Sequence, residues 1–450
     1  MKIVIYSSNA NKFNSEEFLI KTLQKCNNNY INVIKKYTNL QIFLLTKLPC
    51  MFIADYKSKG IETFPEEIKG CIEASILRGK TAEEIADEIS QLSPDLAIAA
   101  TFWTESFDWL GVMDSQIAEL LSERNIKTVC HPLKTSLLCF NKKDTRDFLL
   151  QNGFNIAPSV YVHHELFRAE KGRPEIIVNP YREAILSQIE RLHYPVIIKD
   201  TIGLSSYGME VVNTFGEAKN FLCSKKNGSD RLCEEFLEGI QFGTEIHGYK
   251  GNYTVYPPFM FSVNKYGITS PKQSVKIGPV TSEKYHLEEL NRMLIHLAEK
   301  LELKGLAQVD LVFHKEKWYI LEINPRLSGL TQTIAESLEK SVPELLLDAA
   351  FGKNTRHPEM NYVCSIKYPL VSDEILEKMY KTEGVLCVRQ TENKAARQKR
   401  EEGFCEVIFG GRKKSAELKM DLERQKNNFP DITEEAFYNT ALDMIEKLDQ

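Results

Sequence analysis

The stretch from 306 to 331, LAQVDLVFHKEKWYILEINPRLSGLT, constrains this chain most, because two strands and a tight turn decide which side chains must face one another. On the first strand Ala307, Val309, Leu311 and Phe313 are apolar, and on the second Tyr319, Leu321 and Ile323 are, so a period of two gives each strand one core face. With a turn at Lys315, Glu316 and Lys317, Asp310 falls opposite Glu322 and Gln308 opposite Asn324, all four on the face away from the core. Like charges directly opposed across a hairpin destabilise it, so the pair asks for a cation. Hard oxygen ligands select magnesium, and the hairpin reads as a magnesium-nucleotide site.

A solvated polar face on an exposed hairpin fits the same alternation. The sequel favours chemistry: Asn324, Pro325, Arg326, Ser328 and Gly329 form a turn that sets a guanidinium beside the same face. A cation next to two metal-binding carboxylates suits a transferring phosphoryl group.

A chain of 450 residues has room for about three domains. The formal net charge of -5 gives no electrostatic reason to expect nucleic acid or an anionic membrane as partner. No apolar run reaches the roughly 18 residues of a membrane span, and MKIVIYSSNANKFN reads as a short strand and a polar loop rather than a signal peptide, so a cytoplasmic location is expected. The ten cysteines show no CxxC pairing, which points to buried thiols rather than zinc ligands or disulfides.

The first 135 residues alternate strands (Ile3–Tyr6, Leu96–Ala100, Lys127–Cys130) with helical stretches such as Thr81–Leu92, the pattern of a small open α/β domain. A helix from about Lys143 to Gln151 follows, then a strand Ser159–Val162 and a stretch from His163 to Pro180 that reads as a loop. Strand Pro195–Lys199, the small-residue loop Gly203–Gly208 and strand Met209–Val212 come next, and Thr214 with Glu217 matches a capping box that opens a helix to about Cys223. Strands at Arg231–Phe236, Gly243–Gly248 and Tyr253–Val263 precede a helix from about Ser282, whose Leu287, Leu290, Leu294, Leu297 and Leu301 share one face. After the hairpin, helices are expected near Thr331–Lys340 and Pro343–Phe351, and the segment from 353 reads as a separate C-terminal domain.

Three further constellations carry chemistry. In the loop IGLSSYGM, glycines let backbone amides approach a phosphate while Ser205 and Ser206 add hydroxyl donors, and Lys199 ends the strand just before it. A simple turn and a strand-terminal lysine are the plainer reading of each. Lys143 sits where a helix starts, an unfavourable place for a cation, and can aim into the same cleft, although an exposed lysine of the Lys142, Lys143 pair explains it as well. The segment CEEFLEG, with Glu234, Glu235 and Glu238, is a strand running into a turn that can offer backbone groups to an adenine edge, or is a solvated edge strand. Lys272, Lys276 and His247 are further candidate contacts to a carboxylate or phosphate, each read more simply as solvated.

Taken in order, Lys143, Lys199, the loop 203–208, EEFLEG, Asp310, Glu322 and NPRLSG resemble the ATP-grasp family of carboxylate-amine ligases, over roughly residues 130–352. The resemblance implies α/β and α+β architecture: a Rossmann-like domain (1–135), an ATP-grasp subdomain with a phosphate loop (136–225), a second with the metal hairpin (226–352) and a C-terminal domain (353–450). It implies ATP held by Lys143, Lys199, Ser205, Ser206 and Gly208, with adenine on the backbone around Glu234, Glu235 and Leu237. Asp310, Glu322 and Asn324 would hold magnesium, or manganese in its place, while Arg326, Lys199, Ser205 and Ser206 act on the reacting phosphoryl group. Gln241 stands where many relatives carry a ribose-binding glutamate.

The implied reaction joins a small-molecule carboxylate and an amine through an acyl phosphate, and NPRLSGLT with AESLEKSVPELLLDAAFG most resembles the amino-acid ligases that make dipeptides, with a homodimer as the family expectation. The alternatives are a bicarbonate-activating ligase of the biotin-carboxylase and carbamoyl-phosphate type, and an ATP-binding regulatory protein without turnover.

Overall fold

The structure is a computed structural model and describes residues 1–8, 33, 35–37, 39–46, 71–101, 110–173, 175–202, 209–264, 273–353, 355, 358–393, 402–432 and 435–448. Strands β1 (Lys2–Ser7), β2 (Gln41–Thr46), β3 (Ile72–Ile76), β4 (Leu96–Ala99) and β5 (Lys127–Val129) form a parallel sheet in the order β3-β2-β1-β4-β5. Parallel strands are covered on both faces and so run apolar throughout. In β1, Ile3 and Ile5 enter one core cluster while Val4 and Tyr6 enter another. The second cluster is completed by Ile85, Ile89, Ile117 and Leu121 from the helices Ala82–Gln91 and Leu110–Glu123.

Strands β6 (Ser159–Val162), β7 (Val196–Asp200), β8 (Glu210–Val212) and β9 (Arg231–Glu235) make an antiparallel sheet in the order β6-β9-β7-β8. Helices Pro180–Glu190 and Phe215–Cys223 cover one face through Ile185, Ile189, Ala218 and Leu222. Thr214 caps the second helix by accepting from the Glu217 amide, as its spacing requires, and the Glu217 carboxylate accepts from Asn213 N one residue earlier. The stretch read as a loop contains a single helical turn, His164–Phe167, because Phe167 is drawn into this core.

The third sheet has nine strands: β10 (Ile240–Tyr249), β11 (Asn252–Val255), β12 (Phe259–Phe261), β13 (Ser274–Gly278), β14 (Lys304–His314), β15 (Lys317–Asn324), β16 (Tyr362–Tyr368), β17 (Val385–Asn393) and β18 (Glu402–Arg412). Their order is β15-β14-β10-β12-β13-β16-β18-β17, with β11 on β10. The segment after 353 therefore continues the sheet of the hairpin: β16 hydrogen-bonds the outer edge of β13, which would otherwise expose unpaired backbone groups. One core runs from Phe242, Leu311 and Trp318 through Ile366 and Val407 to Tyr438. Helix Leu287–Lys300 buries Leu290, Leu294 and Leu297 against it, after a short turn at Glu283–Tyr285.

The first sheet is seated on the third by His131, just after β5. Its Nδ1 accepts from the Lys304 amide at 3.1 Å, so Nε2 carries the hydrogen and donates to the Leu306 carbonyl at 2.9 Å. Burial holds this ring neutral, with its pKa lowered to about 4.

The hairpin differs from the sequence reading in an informative way. Its turn has two residues, Lys315 and Glu316, at φ 47° and 59°, the left-handed pair that matches the twist of hairpin strands. Lys317 is already in β15, opposite His314. Continued unbroken, that register would set Asp310 against Leu321. A β-bulge instead leaves Leu321 without a partner, so that Leu311 faces Ile320 and Asp310 faces Glu322. The two-residue turn also sets the faces of the first half of β15: Trp318 and Ile320 are 1% and 3% exposed, in place of the expected Tyr319 and Leu321, while the bulge returns Ile323 to the core at 1%.

Trp318→Ala is accordingly expected to cost about 3–5 kcal/mol. Tyr319→Ala should cost well under half of that in urea denaturation, and the reverse order would place Tyr319 in the core.

Candidate active site

The site lies where the second and third sheets meet the helix Lys142–Gln151. Asn141 caps that helix by accepting from Lys143 N, and Lys142 N donates to the Thr201 carbonyl, one residue past β7, at 2.8 Å. The helix start is thereby fixed against the strand that carries Lys199. Lys142 Nζ then reaches Glu322 Oε1 at 3.0 Å, and Lys199 pairs with Glu234 from β9. Lys142, Arg146, Lys199, Glu234, Leu321 and Glu322 line one cleft. Arg146 is held within it by Ser159 and Asp147.

Burial alone would raise the Glu322 carboxyl, but Lys142, then Lys199 and Arg326, outweigh it and hold it below the usual range. Asp310 goes the other way, up to about 7, first through burial and then through the Glu322 charge opposite. A 2.5 Å hydrogen bond from Gln308 Nε2, together with Lys276 and Arg326, offsets this only in part. One carboxyl of the pair is thus ionised while the other readily keeps a proton, which is how two close acids settle without a metal.

The donor set fits magnesium. Two hard carboxylates, Asp310 and Glu322, face each other across the hairpin. Asp310 and Glu322 would hold the ion and leave room beside it for phosphate oxygens and water. Asn324, expected as a third ligand, has its Oδ1 engaged by Arg326 Nη2 at 3.0 Å, and Arg326 Nη1 donates to the Leu327 carbonyl.

Lys143 corrects the sequence expectation. It sits one position past the helix start, and its ammonium is held by Asp147 at 3.0 Å and Asp144 at 3.5 Å on its own helix, beside the ring of Tyr161. Its neighbour Lys142 points into the cleft in its stead. Glu235 faces away from Lys199 and accepts from His193 N and Nδ1. Its amide donates to the Pro158 carbonyl, but Pro158 has no N–H to return, so this pairing leaves the Glu235 carbonyl able to accept a further hydrogen bond. Leu237 lies between β9 and β10, and Gln241 lies in β10 opposite Val312. Ser205, Ser206 and Gly208, with the rest of 203–208, and Lys272 lie outside the described residues.

Sequence reasoning missed Glu245. It is fully buried on β10, its Oε1 accepts from Ser328 Oγ at 2.7 Å and Thr331 Oγ1 at 2.6 Å, and its Oε2 meets His247 Nε2 at 2.7 Å. It pins both hydroxyls that follow Arg326 and so fixes the arginine's turn. His247, a candidate ligand from sequence, serves this network. The only signal was an acid within an apolar strand four residues after Gln241.

Residues 167–330 match the model of the ATP-grasp domain. Over 176 residues, 38% of this chain, the sequence is 24% identical to the carbamoyl phosphate synthase arginine-specific large chain of Halalkalibacterium halodurans, of which the match covers 16%. The chain thus spans less than a fifth of the length of that curated relative. The fold is similar to that of L-amino acid ligase from Bacillus licheniformis, at 16% identity and a TM-score of 0.61, covering 94% of this chain and 97% of that one. It is also similar to N5-carboxyaminoimidazole ribonucleotide synthetase from Thermus thermophilus, at 16% identity and 0.59, covering 94% and 98%. The ATP-grasp fold implied by the ordered motifs is borne out.

Glu245→Ala strips an acceptor from two hydroxyls and a ring nitrogen in a dry interior. A loss of about 3 kcal/mol or more is expected in urea unfolding. Glu245→Gln, which keeps one oxygen, should lose distinctly less, and equal stability of Glu245→Ala and the parent would show that the network holds nothing in place.

Proposed function

We propose that this ATP-grasp chain is an ATP-dependent ligase that activates the carboxylate of an amino acid and joins it to an amine, releasing ADP and phosphate. The observation that carries the reading is the opposition of Asp310 and Glu322 with Lys142, Lys199 and Arg326 converging on them. Three cations around two opposed acids suit a triphosphate, whose charge needs several positive groups and a metal bridge. Lys142 and Lys199 hold phosphate oxygens, and the Glu235 carbonyl takes the adenine amino group. Gln241, at the start of the strand that follows, accepts a ribose hydroxyl. Magnesium, when bound at Asp310 and Glu322, screens the charge of the phosphate oxygens as the terminal phosphoryl group leaves.

The substrate carboxylate oxygen attacks the γ-phosphorus, the bond to the β-phosphate oxygen breaks, and ADP and an acyl phosphate result. The amine nitrogen then attacks the acyl carbon, and phosphate departs from the tetrahedral intermediate. Arg326 steadies the negative charge on both transferring groups. Its turn is fixed in advance by Glu245, so little reorganisation is needed at the moment of reaction. The chain supplies position and charge rather than a nucleophile.

A second reading, activation of bicarbonate, is favoured by the sequence match to a carbamoyl phosphate synthase chain. The two part in one assay: ADP and phosphate release with magnesium and ATP, across amino acids singly and in pairs, and with bicarbonate. Release that requires amino acids is expected, and turnover on bicarbonate alone would overturn the reading. In the same assay Lys142→Ala should raise the KM for ATP by on the order of 10-fold or more, as losing a charge-assisted phosphate contact does. Lys143→Ala should stay near the parent value, and the opposite pattern would return the phosphate role to Lys143.

A further inference from the structure

The sheet face that carries Asp310 and Glu322 does not end at them. Direct cross-strand partners share a face, and the register links Asp310 to Gly243 on β10, Lys276 on β13 to Phe261 on β12, Lys276 to Ser365 on β16, Lys367 to Glu406 on β18, and Glu406 to Arg389 on β17. Phe261 closes the gap between the two groups: a side chain at Gly243 would run into its ring, and Lys276 Nζ lies 5.7 Å from the centre of that ring. One strip therefore runs from the acids to a cluster of three cations.

That cluster is unbalanced. The carboxylate within it, Glu406, is 1% exposed and already committed, accepting from Arg389 Nε at 2.6 Å and from Ser365 Oγ at 2.9 Å. Lys276 donates to the Gly329 carbonyl at 2.9 Å, a neutral acceptor in the turn that carries Arg326. The Lys367 ammonium stands 4.1 Å from the Phe404 ring centre, and among the described residues no carboxylate or carbonyl accepts from it. Lys276 feels the charges of Glu406, Asp310 and Glu245 while donating to a neutral carbonyl, and Lys367 shares its partly buried surface with no acceptor of its own among the described residues. Burial, then the Lys276 charge, lowers Lys367 to about 8, and burial also lowers Lys276. Holding such charges away from water is unfavourable unless an anion joins them.

We infer that Lys276 and Lys367 bind an anionic group of the substrate, separate from the group that reacts, and that on the ligase reading above, on which this rests, the group is a carboxylate. Strand spacing sets the scale. Three strand steps, about 14 Å, separate the β14 and β13 backbones, and a lysine side chain spans about 6 Å of it. A compact substrate with a second carboxylate a few bonds from the reacting centre bridges the rest. The hydrogen bond from Lys276 to Gly329 ties this subsite to the turn of Arg326, so occupancy at one end is felt at the other. The second carboxylate is carried either by the acid that is activated or by the amine that attacks it.

The test uses the full chain with magnesium. ADP release is measured with L-glutamate against L-glutamine as the acid and with glycine against glycinamide as the amine, while calorimetry titrates L-glutamate, L-glutamine and glycine into the protein with a non-hydrolysable ATP analogue. At least a 10-fold preference for the charged member of one pair is expected, and the pair that shows it names the carrier. Lys367→Met should erase that preference through KM, with the KM for ATP little changed, and Lys367→Arg should restore it. Equal use and equal binding of charged and neutral members, or a preference that survives in Lys367→Met, would overturn the inference. If no amino acid supports ADP release yet glutamate or glycine binds the parent and not Lys367→Met, the subsite stands and the ligase reading falls.

Discussion

Two carboxylates set face to face across a hairpin, Asp310 and Glu322, are the constraint around which the rest of the site is arranged. Their repulsion is not relieved within the hairpin. It is met by cations brought from elsewhere: Lys142 from a helix start fixed to β7, Lys199 from β7 itself, Arg326 from the turn after β15, and Lys276 from three strands away. Each lies in a different stretch of sequence, and each owes its place to a backbone contact or a sheet register. The fold thus collects charges that no single segment could hold together, and sets them around the two acids.

The opposition itself depends on a bulge. A two-residue turn closes the hairpin tightly, and without the extra residue at Leu321 it would send Glu322 out of register with Asp310. The tight turn faces Trp318 and Ile320 into the core and the bulge returns Ile323 to it, so the register of the two acids and the packing of β15 are set by turn and bulge together. Glu245 does comparable work for the arginine. Buried on the neighbouring strand, it holds Ser328 and Thr331, and Arg326 leaves the chain from a turn already fixed. Both devices spend backbone regularity or a buried charge on position, which is what phosphoryl transfer needs most from a protein.

Much of this was legible in the sequence. Period-two alternation located the hairpin, and the pairing of Asp310 with Glu322 followed from it, although through a three-residue turn where the structure uses two residues and a bulge. Local patterning cannot separate these, because both put the same acids together and differ only in which apolar residues face inward. Lys143 was chosen over Lys142 for a similar reason: adjacent positions on a helix point about 100° apart, and the register of the helix against β7 is a tertiary fact. The sheet shared by residues before and after 353 was hidden because strand pairing between β13 and β16 spans about ninety residues. Glu245 and Lys367 carry no motif. Their significance lies in what surrounds them, not in what precedes or follows them in the chain.

The central claim is that the hairpin and its cations form one magnesium-nucleotide site. Calorimetric titration of ATP, with and without magnesium, into the parent protein and into Glu322→Ala tests it most directly. Binding at one site that requires magnesium and weakens on the order of 100-fold in the variant is expected. Binding that is indifferent to magnesium and unchanged in Glu322→Ala would contradict it.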